Sequence, residues 1–82
     1  MTDKTIPFSL GNEKDIQIRL VLNQVYEALK EKGYDPINQL VGYILSDDPT
    51  YITTHKSART QICKIDRDEL LQALVKYYLT DK

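Results

Sequence analysis

This sequence predicts an all-α fold, a compact bundle of about four helices behind a flexible N-terminal tail, on three observations. Four stretches place apolar residues at three- and four-residue spacing, the period of a helix with one buried face. Each stretch is bounded by residues that start or stop helices. The one extended-looking piece, Thr50 to Ile52, is too short for a strand.

Residues 1–11 read as the tail. Their composition is mixed and aperiodic, Pro7 lacks a backbone donor, and Gly11 adds freedom just before the first helix signal. The helical domain then covers residues 12–80. Asn12 is suited to cap the first helix, with Asp15 three residues on. Ile18, Leu22, Val25 and Leu29 form its inner stripe, widened by Val21 and Tyr26, and it should end at Lys32.

Gly33 is a helix-stopping residue, Asp35 a natural cap for the next helix, and Pro36 fits a first turn that has no use for its missing N–H. The second helix should cover Pro36 to Leu45, with Ile37, Leu40, Val41 and Ile44 turned inward. Gly42 inside it costs about 1 kcal/mol relative to alanine, which implies close approach by another backbone or an aromatic ring. Asp47-Asp48-Pro49 breaks this helix. A short third helix follows, capped by Ser57 or Thr54, with Ala58, Ile62 and Ile65 inward. Asp66 with Glu69 opens the last helix, whose apolar face is Leu70, Leu71, Leu74, Val75 and Tyr78. Tyr77 and Leu79 lie off that face, so the final turns carry more apolar surface than one small monomer covers.

The chain has 82 residues, 41% of them hydrophobic and 28% charged, enough for one small domain. Below roughly 70–80 residues a lone core seldom supplies more than about 3–5 kcal/mol, and small domains add a disulfide, a metal or a partner subunit. Cys63 is the only cysteine. It permits no internal bridge, and with His55 it offers too few soft ligands for zinc. A homodimer is the remaining remedy. No apolar run reaches the roughly 18 residues of a membrane span and no secretory signal is visible, which points to the cytoplasm.

A formal net charge of −1 gives no general attraction to nucleic acid. The charges are nevertheless segregated: Tyr34 to Thr53 holds Asp35, Asp47 and Asp48 and no base, whereas Thr54 to Ile65 holds Lys56, Arg59 and Lys64 and no acid. Such a basic run is most often a solvated helix face. It also supports an alternative class, a small helix-turn-helix DNA-binding regulator with its turn at Asp47–Thr53 and its reading helix near Ser57–Ile65. Against that stand the inward-facing Ile62 and Ile65 and too few cations for the usual phosphate contacts.

Catalysis is hard to build here. On one helix, Cys63 and His55 would stand about 12 Å apart, far beyond hydrogen-bond reach. Asp47 and Asp48 suit a turn and its caps better than an acid pair. There is no phosphate-binding glycine loop and no nucleophile elbow, and no cofactor or metal is implied. Tyr34, Tyr43, Tyr51 and Tyr78 either complete a small core or line a groove, for which Gly42 beside Tyr43 is the one hint. Thr5 offers a hydroxyl on a mobile segment, a form that a kinase site accepts. On the residues alone, though, an ordinary tail threonine is its default reading.

The stretch GYDPINQLVGYILSDDPTYIT at Gly33–Thr53, SAR at Ser57–Arg59 and RDELLQALVKYYL at Arg67–Leu79 resemble the IreB/ReoM family of small bacterial regulatory phosphoproteins, over nearly the whole chain. The resemblance implies a non-enzymatic role in which a threonine of the N-terminal segment TDKTIPF is phosphorylated. Thr5 is the matching position and Thr2 a minor acceptor. It implies as partners a membrane Ser/Thr kinase with PASTA repeats and a PP2C-type phosphatase. It further implies control of cell-wall synthesis, and with it antibiotic resistance, through Clp-protease turnover of MurA. Lys56, Arg59, Lys64 and Arg67 fall where the family has partner-binding cations, with Tyr43 as a further candidate contact. Thr54 and Cys63 stand where relatives can carry arginine, which makes this basic patch thinner.

Overall fold

A computed structural model describes residues 13–80, which form four α-helices and, among the described residues, no strand. The helices are α1 (Glu13–Glu31), α2 (Pro36–Ser46), α3 (Ala58–Cys63) and α4 (Arg67–Thr80). Two single 3-10 turns, Pro49–Tyr51 and His55–Ser57, link α2 to α3. The expected tail, and the cap assigned to Asn12, lie outside the described residues.

α1 is the spine. Ile18, Val21, Val25, Ala28 and Leu29 form its buried stripe, Leu22 packs at the margin, and Tyr26 stays exposed beneath the Lys30 ammonium. The helix stops as the sequence requires. Gly33 takes a φ of +85°, its N–H bonds the Lys30 carbonyl at 3.0 Å, and the Tyr34 N–H bonds the Leu29 carbonyl at 3.0 Å. These two crossed bonds satisfy the last carbonyls of α1 and turn the chain back. The Asp35 carboxylate then accepts from the backbone N–H groups of Ile37 (3.1 Å) and Asn38 (3.3 Å), with Pro36 at the first helical position.

The inner face of α2 differs from the expected one. Tyr43 is its fully buried member, flanked by half-buried Leu40 and Ile44, while Ile37 and Val41 face solvent. Periodicity alone fixes that apolar residues share an arc, and here the arc is wide enough for the helix to rotate Tyr43 inward. Gly42 is explained as expected: a Cβ there would sit 2.9 Å from Cζ of Tyr51 and nearer still to Cε1 and Cδ1.

Thr50-Tyr51 is a 3-10 turn, with the Asp48 carboxylate capping the Thr50 N–H at 3.0 Å and the Thr50 hydroxyl at 2.7 Å. Asp47 and Asp48 are therefore turn and cap residues, as read. Neither Thr54 nor Ser57 caps α3 with its hydroxyl, a correction to the expected start. The reason is conformational: Lys56 and Ser57 both lie in the left-handed region, at φ 54° and 60°, and the chain enters α3 through backbone bonds instead. Ala58, Ile62 and Ile65 are buried as expected.

In α4 the face also departs from expectation. Leu70 is fully buried and Ala73 partly so, but Leu71, Leu74, Val75 and Tyr78 join Tyr77 and Leu79 among the exposed residues. Only one edge of the helix has α1 to pack against.

Candidate functional site

The residues expected to carry function divide between the described domain and what precedes it. Thr5 and Thr2 lie outside the described residues. The basic candidates all fall on the α2–α3–α4 side, and the fold gives three of them internal partners.

Lys56 sits at the left-handed turn before α3. Its ammonium pairs with Glu31 at 3.0 Å, while its carbonyl accepts from the Gln24 amide at 3.2 Å. The neighbouring His55 ring reaches the other Glu31 oxygen at 2.8 Å. Glu31 thus bridges two successive side chains of the turn, and the His55 hydrogen bond, followed by that from Lys56, holds its carboxyl below the ordinary 4.5. Two consecutive left-handed non-glycine residues cost roughly 1–3 kcal/mol each, so this turn persists because α1 clamps it from the side.

Arg59, on α3, donates from Nε to the carbonyl of fully buried Ile52 at 2.8 Å. Arg67, at the start of α4, donates to the Ile44 carbonyl at 2.8 Å and pairs through Nε with Asp47 at 3.1 Å. Each guanidinium therefore stitches a loop or a helix end to its neighbour, and each has further N–H groups to offer. Lys64 is exposed and has no partner among the described residues. As a set, the four cations lie near one another along the chain but do not form a patch of free charge. Two of the four, Lys56 and Arg67, pair with a carboxylate of the domain, and Arg59 is held on a neutral carbonyl.

Tyr43 is 3% exposed, with its ring in the core. Its hydroxyl approaches Cys63 Sγ at 4.0 Å and edges a shallow, open pocket shared with Asp47, Cys63, Asp66, Arg67 and Asp68. Burial, followed by the Cys63 thiol, pushes the phenol up to about 12. Tyr34, Tyr51 and Tyr78 stand elsewhere, each exposed.

Cys63 and His55 face different partners, Tyr43 for the thiol and Glu31 for the ring. No group of three or more metal-ligating side chains exists among the described residues. None of their helices is long and apolar enough to cross a membrane. The helix offered as a DNA reader is six residues long and buries Ala58 and Ile62. What sequence reasoning missed is the clamp from α1, Gln24 and Glu31. A contact spanning some 25 to 32 residues leaves no local pattern.

The described residues thus form a small all-helical domain whose candidate cations reach mainly into its own loops and helix ends. A family model described as IreB regulatory phosphoprotein matches residues 3–80. A UPF0297 protein of Ruminiclostridium cellulolyticum is 53% identical over 77 residues, covering 94% of this chain and 88% of the relative. The chain belongs to the IreB family of regulatory phosphoproteins, a description that points away from catalysis.

Proposed function

We propose that this chain is a non-enzymatic, cytoplasmic phosphoprotein whose Thr5 hydroxyl is the acceptor for a membrane Ser/Thr kinase with PASTA repeats, with a PP2C-type phosphatase reversing the mark. Phosphorylation would relieve Clp-dependent turnover of MurA and so license peptidoglycan synthesis. The observation that carries this is the family match from residue 3 to residue 80, which takes in Thr5 and leaves Thr2 outside. Phosphate adds about −1.5 to −2 charges and three strong acceptors, enough to change what a short segment binds. The receiving groups in this reading are Lys64, whose side chain has no partner among the described residues, and the unused N–H groups of Arg59 and Arg67. Lys56 contributes if Glu31 releases it.

The acting form is a homodimer, supported by the apolar residues that α4 leaves in solvent, Leu71, Val75, Tyr78 and Leu79. Phosphopeptide mapping tests the acceptor cleanly. Fragment ions of the N-terminal peptide separate Thr2 from Thr5 whether or not a phosphate next to Lys4 blocks tryptic cleavage there. Stoichiometric phosphate on Thr5 is expected from the cognate kinase, and Thr5→Ala should remove it without changing helicity. Full labelling of that variant would refute the assignment.

A further inference from the structure

The second helix carries an unusual surface. None of the eleven residues of α2 is charged, yet Ile37, Val41 and Leu45 are 62%, 48% and 79% exposed. At 100° per residue these three occupy an arc that adjoins the inward face of Tyr43, Leu40 and Ile44, so the apolar surface wraps about 200° of the helix. The domain covers only the inner half. On the remaining side Tyr51 covers Gly42, and the Gln39 amide bonds the Tyr51 carbonyl at 2.9 Å, so that edge is already closed.

The ends of the stripe are acidic. Asp35, which caps the helix, stands at the N-terminal end, and at the C-terminal end stand Asp48, which caps the next turn, and Asp47, which pairs with Arg67. The pocket beside that second end adds Asp66 and Asp68, with Arg67 as the one cation.

We propose that the outer face of α2 is the docking surface for an amphipathic helix of another protein, with apolar residues at i, i+4 and i+8 and basic residues at both ends of that stripe. The two ends are about 16 Å apart along α2, which sets the basic residues roughly three turns apart. A second copy of this chain fits poorly. Antiparallel two-fold pairing through α2 sets Asp35 of one protomer against Asp47 and Asp48 of its partner, and parallel pairing sets Asp35 against Asp35, both repulsive. The inference is independent of which threonine is phosphorylated.

The test uses the full-length unphosphorylated chain and a synthetic helical peptide of about four turns, with leucines on one face and lysines at both ends. NMR titration should show saturable perturbations centred on Ile37, Val41 and Leu45. A peptide with glutamate for lysine should bind at least about tenfold more weakly, as should Val41→Lys and Leu45→Lys against the lysine peptide. Leu45 is the most exposed of the three, so its variant keeps the test open should Val41→Lys fail to fold. Equal affinity for the two peptides, perturbations centred on α4, unchanged affinity of the lysine variants or no saturable binding would each overturn the proposal. A drop in oligomeric mass in either variant would hand the face to a second copy instead.

Discussion

Gly42 shows how one missing methyl sets a local sign. In an exposed helix interior, glycine to alanine normally gains about 1 kcal/mol. Here the added carbon meets the Tyr51 ring, whose backbone is held by the Gln39 amide, so relief requires the ring to swing into solvent and lose its packing. Gly42→Ala should therefore destabilise by about 1 kcal/mol, and in a Tyr51→Ala background it should stabilise by about as much, a reversal that a urea-denaturation double-mutant cycle reads directly. Tyr43 makes a second residue-level prediction. Its folded value of about 12 lies above the ordinary 10, so its neutral form favours the folded state and that contribution is lost as pH rises from 10 to 12. Tyr43→Phe should flatten the alkaline side of the stability profile followed by circular dichroism. The aromatic contact at Gly42 was legible because a glycine inside a helix needs a steric reason. That the tyrosines help complete a small core holds for Tyr43 alone, and which of them turns inward was not legible, since each ring carries the same amphipathic chemistry.

Elements were legible where their ends are written locally. The α1–α2 junction needs only Gly33 and Asp35, which bond the helix ends they adjoin, and Pro36, which fits a first turn without an N–H. Asp35→Ala should cost about 1 kcal/mol and lower the melting temperature by about 4–8 °C in a domain this small. The entry to α3 was not legible, because its left-handed turn depends on Glu31 and Gln24 far away in sequence. Glu31 carries a carboxyl held below its ordinary 4.5, so what it contributes is present above that pH and is lost as pH falls below it. Glu31→Gln should be less stable than the parent near neutrality, and the gap in urea midpoint should close between about pH 5 and pH 3. The rotation of α2 and the exposure of most of the α4 face have one cause. Spacing says which residues share an arc, and only the neighbours decide which part of it is covered.

At the scale of the whole molecule, the core runs along one side of α1, from Ile18 to Leu29, and is closed by Tyr43, Ile52, Ala58, Ile62, Ile65 and Leu70. α4 lies against the N-terminal half of α1, where the Arg19 guanidinium covers the Tyr77 ring at 4.8 Å and Lys76 meets Asp15 at 3.4 Å. Exposed surface pairs of this kind contribute at most about 1 kcal/mol. The outer side of α4, with Val75 and Tyr78, is where self-association would add most. A dimer closed there makes the melting temperature rise with protein concentration, and Val75→Glu should abolish that dependence while leaving a folded monomer by sedimentation. The all-helical class was legible because every element carries its own period. Which part of each apolar arc the domain covers was not, because that depends on how the helices pack.

Cys63 closes α3 on the outside of the domain, the sole thiol of the chain. One maleimide dye or nitroxide therefore attaches at a single defined address without engineering, next to the acidic mouth at Asp66 and Asp68. Energy transfer or spin–spin ranging between two such labels measures how far apart the protomers of an assembly hold their third helices, and the label's own mobility reports when something settles over that mouth.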